Sequence, residues 1–393
     1  MSWRRRSGSD WGQLGMKFET YCLGDVCTFI DYRGKTPPKT TSGIPLVTAK
    51  IVKNGIIQEP QEFIAENYYD EWMRRGIPKK ESVVFTTEAP LGEVARIRTD
   101  KKLAFAQRII VLEPKTKQLR ADYLFYALQD HVLKSRIEAR STGTTVIGIK
   151  AAELKKVEID LPALQEQEKI AAILCSLDDK IELNNKINEN LEQQVQAIYQ
   201  EWFGNINMEK GQGTLADICT YSKDRVSVSE LNVSTYFSTE NMLPGKAGAT
   251  EASSLPTTTQ TTACHVGDTL ISNIRPYFKK IVYCHEECGC STDVLCFVPV
   301  HPKYSAYLYS TLYADKFFDF MVAGSKGTKM PRGDKQQIMT YPMTLPTDTE
   351  LERFNSVAVP ILTQIQNSRN ENKRLSLLRD TLLPKLISGE IYI

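Results

Sequence analysis

Cysteine and histidine are the residues whose spacing in this chain comes closest to a chemical site. Cys264-His265 and residues 284–290, which add three cysteines and His285, group thiols with imidazoles. Thiolate sulfur and imidazole nitrogen are the ligands of tetrahedral zinc sites. The spacing Cys-x3-Cys-x-Cys departs from the usual zinc knuckle, and cysteines also serve as small apolar residues at a turn before a strand. We therefore expect no metal site, with a zinc-dependent enzyme kept open as an alternative.

Two other patterns that resemble catalytic sites are incomplete. Residues 33–36 read Arg-Gly-Lys-Thr, the end of a phosphate-binding loop, but the glycine required five residues before Gly34 is Phe29. The four histidines suggest no His-centred triad. The Asn-Pro-Pro-aromatic tetrad of amino-methyltransferases does not occur in the sequence. These observations favour a protein without catalytic activity of its own.

Basic and amide side chains in turns are the remaining candidates, and their chemistry would be DNA binding. Lysines neutralise phosphates, whereas Arg, Asn and Gln can hydrogen-bond guanine and adenine edges. Residues 17–161 hold 24 Lys and Arg against 19 Asp and Glu, while residues 162–204 hold 3 against 8. For any single residue, a solvated surface charge is the simpler explanation. The candidates are Lys50, Lys53, Arg74, Arg75, Lys79, Gln107, Arg108, Lys150, Asn241, Arg275, Lys279, Lys280, Lys326, Lys329 and Arg332.

The elements that would position these residues occur twice. Gly143 and Leu161 match Gly327 and Leu345 at a constant offset of 184 residues (327−143 and 345−161). Towards the N-terminus the offset drifts by a few residues, which small loop insertions explain. A repeat of domain size predicts two similar lobes in a pseudo-two-fold arrangement.

Each half reads as an α+β lobe of strands and one helix. The predicted helices cover 122–139, with Asp122 as the cap, and 306–322. The strands are expected over 82–87, 108–112, 157–161, 268–271, 293–297 and 341–345.

A heptad pattern follows each lobe. Ten apolar or amide residues from Ile170 to Trp202 alternate at spacings of four and three, and the second copy repeats this with a break at Arg379. Such a seam needs a partner helix, and the chain's path out of one lobe and back from the other predicts an antiparallel coiled coil. Pro384 is expected to bend or end the second helix. The seam residues are Ile170, Leu174, Leu177, Ile181, Asn188, Leu191, Val195, Ile198, Ile361, Ile365, Asn372, Leu375 and Leu382, with Asn188 and Asn372 fixing the register.

Two ordinary amphipathic helices, each packed on its own lobe, are the alternative to a coiled coil. At 393 residues the chain is long enough for two or three domains. No apolar run approaches the ~20 residues of a membrane helix. Nine cysteines without framework spacing favour a reducing compartment, and we expect a cytoplasmic protein.

The duplicated plan and several local phrases resemble the specificity (S) subunits of type I restriction-modification systems. The resemblance covers nearly everything from Met16 onward; Glu81-Ser82 departs from the family pattern, which Gly267-Asp268 fits better. No single phrase is diagnostic, but their order within a duplicated chain is specific. The phrases are residues 85–94, 107–112, 143–148, 159–167, 290–295 and 382–390.

The resemblance implies a non-catalytic DNA sequence-recognition subunit. Each lobe, a target-recognition domain, would read one half of a bipartite target in double-stranded DNA. The helices would set the gap between the halves and dock two methyltransferase subunits. Those partners would carry S-adenosylmethionine, so that no cofactor is expected in this chain, and restriction (endonuclease/translocase) subunits could join them.

The expected boundaries follow from the same plan. They are a flexible leader at 1–15, a first target-recognition domain at 16–162, a central helix at 163–204, a second domain at 205–346 and a C-terminal helix at 347–393. A coiled-coil scaffold whose lobes bind protein remains the alternative, and it predicts no salt-dependent affinity for DNA.

Overall fold

The computed structural model describes residues 16–204, apart from 33, 35 and 116, and residues 212–393. The chain forms two compact units. One comprises the chain up to Ile181 together with Lys373–Ile393, and the other is Glu182–Asn372. Each unit therefore contains one mixed lobe and a part of each long helix. The predicted leader at 1–15 lies outside the described residues.

The first lobe is a small mixed α+β structure. Its helices are α1 (Leu23–Val26), α2 (Tyr69–Trp72), α3 (Ala121–Ala127), α4 (His131–Glu138) and α5 (Ala151–Leu154). Its strands are β1 (Glu19–Cys22), β2 (Cys27–Asp31), β3 (Ile44–Val47), β4 (Val52–Lys53), β5 (Ile56–Ile57), β6 (Phe63–Ile64), β7 (Val83–Thr87), β8 (Leu91–Arg96), β9 (Ala104–Phe105), β10 (Ile109–Pro114) and β11 (Glu158–Leu161).

A four-stranded antiparallel sheet in the order β2-β10-β7-β8 forms the centre of this lobe. Every residue of β7 is buried, as β-branched and aromatic residues allow in a strand covered on both faces. On one face Val83 and Phe85 pack with α3, and on the other Val84 packs against β3 and β9. A separate ladder pairs β1 with β11.

The second lobe repeats this plan. Its helices are α7 (Ser305–Tyr313), α8 (Asp315–Ala323) and α9 (Lys335–Met339). Its strands are β12 (Gln212–Thr214), β13 (Cys219–Tyr221), β14 (Arg225–Ser227), β15 (Tyr236–Phe237), β16 (Gln260–Cys264), β17 (Thr269–Ser272), β18 (Ile281–Tyr283), β19 (Cys288–Cys290), β20 (Val294–Pro299) and β21 (Pro342–Thr344). The two long helices, which the chain enters after each lobe, are α6 (Leu164–Phe203) and α10 (Asp348–Ile387).

The sheets of the two lobes correspond strand by strand. The sheet β13-β20-β17-β18 has the order of β2-β10-β7-β8, and β12-β21 corresponds to β1-β11. The lobes differ in their outer sheet, which is β14-β16-β19-β15 in the second lobe and β6-β3-β9 in the first. The structure thus confirms the duplicated α+β plan and places a strand at each of the six predicted positions.

The two predicted lobe helices are each divided, which corrects the sequence analysis. The first is broken at Asp130, whose backbone is extended and whose carboxylate accepts a hydrogen bond from the Val132 N–H. The second is broken at Ala314, also extended, at the same offset of 184 (314−130). The predicted cap is also wrong: Arg120 occupies the N-cap, and Asp122 lies in the first turn, where it binds the Arg120 guanidinium.

The long helices pair in antiparallel fashion within each unit. In the first unit Ile170 and Leu174 share a core with Leu383 and Leu386. In the second, Phe203 packs edge-on against Phe354, with ring centroids 5.6 Å apart. Among the predicted seam residues, Ile170, Leu174, Asn188, Val195 and Ile365 are buried, and the others are partly buried.

Two details of the seam differ from the heptad prediction. The heptad predicts that Ile198 is buried, but Ile198 is only half-buried, and Tyr199 and Phe203 are buried instead. The reason is that the 3.6-residue turn of an α-helix drifts away from a strict seven-residue repeat. Pro384 does not end α10, which continues to Ile387. A missing N–H is tolerated there because the neighbouring Leu383 and Leu386 are buried.

An amide cluster marks the register of the pair in the second unit. The Asn184 side-chain amide donates to Asn372 Oδ1 and to Glu371 Oε2, each at 2.8 Å, and the Asn372 amide donates to Asn185 Oδ1 at 2.8 Å. Because sliding the helices would leave a buried amide without its partners, this cluster opposes other registers. Asn372 belongs to this cluster, with Asn184 and Asn185 as its direct partners. Asn188, the other amide expected to fix the register, is buried outside the cluster, and its Oδ1 has no hydrogen-bond partner among the described residues.

No helix within the described parts of the chain is both long enough and apolar enough to cross a bilayer.

Candidate nucleic-acid interface

In the first lobe, two loops meet at one end of the central sheet. A bridge from Glu88 to Gly148 joins the loop between β7 and β8 to the turn at 142–148, and a bridge from Thr142 to Gly148 closes the turn. Gly143 has φ +125°, and a Cβ on it would lie 2.0 Å from the Val146 carbonyl oxygen, so the turn requires glycine there. The Thr87 N–H donates to the Arg108 carbonyl at 2.9 Å, and the Ile149 N–H donates to the Thr87 carbonyl at 3.0 Å.

An arginine is held across this junction. The Arg108 Nε donates to Glu88 Oε1 at 2.7 Å, and the two side chains remain 44% and 40% exposed. Because the carboxylate engages Nε, the end of the guanidinium remains free to present its other donors. The Arg108 backbone has φ +72°, a left-handed conformation that a neighbouring contact must maintain. The result is an oriented donor group at the edge of the lobe.

The second lobe has the same junction. The backbone of Arg332 forms β-bridges with both Ile274 and Lys326, as that of Gly148 does with Glu88 and Thr142 in the first lobe. The Asn273 N–H donates to the Asp293 carbonyl at 2.8 Å, matching the bond from Thr87 to Arg108. Each loop also turns through a left-handed residue followed by proline, at Ala89-Pro90 and at Arg275-Pro276.

An arginine is again bound by a carboxylate here, but the carboxylate stands where the first lobe has its arginine. Arg332 Nη2 donates to Asp293 Oδ1 at 3.0 Å, with the side chains 56% and 40% exposed. Asp293 occupies the place of Arg108, and Arg332 occupies the place of Gly148. Both lobes thus present a carboxylate-bound arginine at the same junction.

Two buried polar atoms beside Arg332 have no partner among the described residues. They are Asn273 Oδ1 and Arg275 Nε. Asn273 is 8% exposed, and Arg275 donates its backbone N–H to Pro331. Unpaired buried polar atoms are rare in folded proteins, so a water or another polar group is expected to satisfy these two.

Apolar side chains are exposed at the tips of these turns. Val146 and Ile147 are 49% and 54% exposed in the first lobe, and Met330 is 49% exposed in the second. Tyr277 and Phe278, which follow Arg275-Pro276, are also exposed. Apolar contact with a thymine methyl, or insertion at a base step, is a known use of such side chains beside basic ones.

The other candidates of the first lobe lie at several places. Gln107 and Lys150 flank the junction directly in sequence, next to Arg108 and Ile149. Lys79 is at the far end of β7, where its N–H donates to Glu113. Arg75 donates to the Asp31 carbonyl. The remaining candidates, Lys50, Lys53 and Arg74, are exposed and outside both loops.

In the second lobe, Lys326, Lys329 and Arg332 lie together in the turn at 326–332, with Arg275 beside it. Lys326 is paired with Asp334, and this hydrogen bond holds the pKa of the Asp334 carboxyl below its usual value. No ion pair is described for Lys329, which is exposed.

Three candidates of the second lobe serve the fold instead. Asn241 is buried, accepts from Ser238 and donates to two backbone carbonyls, so it is a wrong prediction as a base-reading residue. Lys279 is paired with Asp315 at 2.8 Å. Lys280 donates to the Thr239 carbonyl, and its burial lowers its pKa. A turn residue's type alone does not show whether its side chain points inward.

The sequence analysis missed the acidic partners Glu88 and Asp293. A search for basic residues ignores carboxylates, although a carboxylate beside an arginine fixes the direction of its donors. The signal that could have found them is the repeated X-Pro dipeptide at Ala89-Pro90 and Arg275-Pro276, which marks the two loops.

The cysteine cluster also lies in the second lobe, but inside it. Cys264, Cys284, Cys288 and Cys290 are buried, and Cys296, which the sequence analysis left out, joins them. His265 is 46% exposed. Interaction with the thiols of Cys264 and Cys284 lowers the pKa of the Cys288 thiol.

Comparison with known protein families gives a match over residues 16–193 to the type I restriction modification DNA specificity domain. Across the chain, a relative is the MjaIX specificity subunit of a type I restriction enzyme from Methanocaldococcus jannaschii. It is 24% identical over 381 residues, which are 89% of this chain and 87% of that protein. The HindI specificity subunit of Haemophilus influenzae is 33% identical over 98 residues, 24% of this chain and 21% of that protein.

Among solved structures, the fold is similar to the S subunit of a type I restriction-modification system from M. genitalium. The TM-score is 0.53 at 17% identity, with 96% of this chain and 97% of that chain covered. At this identity the likeness concerns the fold.

Proposed function

We propose, from the premise that this chain belongs to the type I restriction-modification DNA specificity family, that each of its lobes reads one half of a split DNA target. The chain is a specificity subunit, and double-stranded DNA is its ligand. The observation that supports two separate readers is the repeated junction, with Arg108 held by Glu88 and Arg332 held by Asp293.

Each held arginine is suited to a guanine. The guanidinium fork matches the O6 and N7 acceptors of guanine in the major groove. Glu88 lies behind the fork of Arg108, at Nε, whereas Asp293 engages Nη2 of Arg332, and either contact limits the rotation of the guanidinium. Gln107, next to Arg108 in the sequence, would contact a neighbouring base or phosphate. Lys150 and Lys329, which carry point charges, would neutralise phosphates around the two arginines.

The long helices are proposed to set the gap between the two half-targets. The amide cluster of Asn184, Asn185 and Asn372 supports this role, because it opposes slippage that would change the span. A fixed register gives a fixed gap, which a split target requires.

The same helices are proposed to dock two methyltransferase subunits. These partners would supply S-adenosylmethionine and methylate adenine, and restriction subunits would join them to cut unmodified DNA. The chain itself is proposed to be non-catalytic. Leu377 and Leu378 on α10 are 71% and 46% exposed, which supports a protein partner on that helix.

Footprinting of the complex reconstituted with its methyltransferase subunits tests the proposal. Two protected tracts separated by an unread gap are expected. A matched insertion of one heptad after Ile181 and one before Leu375 should lengthen the pair of long helices by about 10 Å. The gap between the two protected tracts should then grow by about three base pairs. One continuous tract, or a gap unchanged by the insertion in a folded complex, would contradict it.

The salt dependence of DNA binding distinguishes this function from the alternative, a coiled-coil scaffold that binds protein. Phosphate contacts make the logarithm of DNA affinity fall linearly with the logarithm of salt concentration, whereas a scaffold has no such DNA affinity.

A further inference from the structure

In the first unit, a tyrosine of the lobe is hydrogen-bonded to an ion pair between the two long helices. The Tyr126 hydroxyl, from α3, donates to Asp178 Oδ2 on α6 at 2.7 Å. Arg379 Nη1, on α10, donates to Asp178 Oδ1 at 2.8 Å, and the same guanidinium binds the neighbouring Asp380. Tyr126 is fully buried, and the side chains of Asp178 and Arg379 are 18% and 24% exposed. One carboxylate therefore joins the lobe to both helices.

The second unit has the same arrangement of groups. The Tyr313 hydroxyl, from α7, donates to Glu192 Oε2 on α6 at 2.9 Å. Arg369 Nη2, on α10, donates to Glu192 Oε1 at 2.7 Å. Burial raises the pKa of the Glu192 carboxyl, and the contacts with Arg369 and Tyr313 oppose this shift. We call Tyr126, Asp178 and Arg379 the first triad, and Tyr313, Glu192 and Arg369 the second triad.

The two triads are not copies of each other made by the duplication. At the offset of 184 residues (362−178 and 379−195), Asp178 corresponds to Leu362 and Arg379 corresponds to Val195. Both Leu362 and Val195 are buried apolar residues. The same three chemical groups therefore occur at helix positions that the repeat does not relate. The break of the second heptad at Arg379 also has a structural reason, because this arginine binds Asp178.

The remaining contacts between a lobe and the long helices in its unit are mainly apolar. In the first unit Tyr123 and Leu124 share a core with Ile170 and Leu174. Apolar burial is non-directional, whereas a hydrogen bond weakens steeply as its angle departs from linear. A lobe that rolled slightly on the helices would keep most of its apolar contact and lose the hydrogen bond of its tyrosine. Each triad therefore opposes rotation of its lobe.

We propose that the two triads are positioning sites, which fix the angle of each lobe on the helices and thereby restrict the gap between half-targets that the chain accepts. This inference rests on the proposed function, since it requires that each lobe reads one half of a split target. Successive base pairs are ~3.4 Å apart along a duplex, so a lobe that moves by a few ångströms changes the gap by one base pair. The amide cluster opposes sliding of the helices, and the triads oppose rolling of the lobes.

The gap preference of the complex reconstituted with its methyltransferase subunits tests this inference. Affinity would be measured for duplexes with both half-targets at the native gap, and at gaps one base pair longer or shorter. Tyr126→Phe and Tyr313→Phe should each lower the preference for the native gap about threefold or more, because a hydrogen bond to a charged group no longer opposes rotation. The base preference within each half-target should not change.

Two other tyrosines provide matched controls, since their hydroxyls bond within a lobe. Tyr32 donates to the Gly76 carbonyl at 2.6 Å in the first lobe, and Tyr221 donates to the Lys335 carbonyl at 3.0 Å in the second. Tyr32→Phe and Tyr221→Phe remove the same oxygen atom without a change at the helices. Both variants should keep the gap preference of the wild type.

Arg379→Lys and Arg369→Lys test the other side of each triad. Lysine keeps the charge but lacks the planar fork, so these variants should also accept altered gaps more readily than the wild type. They provide a second measurement at partly exposed positions of α10, where the change does not enter a core.

The outcomes separate this inference from the proposed function. Two protected tracts with a gap preference that is unchanged in the triad variants would overturn the positioning role and leave target reading in place. Equal losses in the triad variants and in the control variants would also overturn it. One continuous tract for the wild-type complex would contradict the proposed function itself, and this inference with it.

Discussion

The two lobes share one backbone junction and differ in which of its positions carry charge. In the first lobe the arginine, Arg108, precedes β10 and the carboxylate, Glu88, is in the loop after β7. In the second lobe the carboxylate, Asp293, precedes β20 and the arginine, Arg332, comes from the turn that follows α8. Both lobes therefore have a place for an oriented arginine at this junction, while the surrounding side chains differ. Different surroundings at equal junctions would let two lobes read different sequences.

The lobes also differ in their contacts with the long helices, and this difference can be tested by truncation. Phe354→Ala should destabilise the second unit by about 3–5 kcal/mol, because Phe354 packs against Tyr199, Phe203 and Tyr307. Leu386→Ala is the counterpart in the first unit, at about 2–5 kcal/mol. Hydrogen exchange resolved by peptide should rise in the unit that carries each change. An equal rise in both units for either variant would show that the two units do not depend on separate helix contacts.

The arginines should act on separate half-targets. Arg108→Ala and Arg332→Ala are each expected to weaken specific binding by about 1–3 kcal/mol and to relax sequence preference in one half only. The measurement is the affinity of the reconstituted complex for duplexes with one half-target scrambled at a time. If both variants relaxed the same half, the two lobes would not be independent readers.

The carboxylates Glu88 and Asp293 should act through the arginines that they bind. Glu88→Gln and Asp293→Asn should each cost about 1 kcal/mol, roughly fivefold in affinity, through the loss of a charge-assisted hydrogen bond. Combined with alanine at its arginine, each change should cost nothing further. Additive losses in this double-mutant cycle would show that the carboxylates act elsewhere.

The lysines should give the smallest effect, visible in the salt dependence. Lys329→Ala is expected to reduce the slope of log affinity against log salt by about 1, equally for cognate and scrambled DNA. Lys79→Ala, at the far end of β7, is the matched control and should leave the slope unchanged. Equal slopes for the two variants would place the phosphate contacts outside the junction.

The large-scale plan of the fold could be predicted from the sequence. The constant offset between Gly143 and Gly327 predicted two similar lobes, and the heptads predicted the paired helices, because both patterns depend on repeated spacing. The breaks at Asp130 and Ala314 were missed, since the apolar spacing of a helix continues across one extended residue.

The direction in which a side chain points could not be predicted from the spacing of residues in the sequence. Asn241 and Arg275 are both polar turn residues in the sequence, yet Asn241 is buried in hydrogen bonds of its own lobe. The contact of Glu88 with Arg108 depends on the ladder between β7 and β10, two strands that β8 and β9 separate in the chain. Such contacts arise from the tertiary fold, which one sequence does not show.

The most direct test of independent target reading by the two lobes replaces the first lobe with a second copy of the second lobe. The complex of this chimaera with its methyltransferase subunits would be supplied with plasmid DNA, and the methylated adenines would be located by sequencing. We predict a new target in which the half read by the first lobe is replaced by a second copy of the other half. An active chimaera that still methylates the original target would contradict the account.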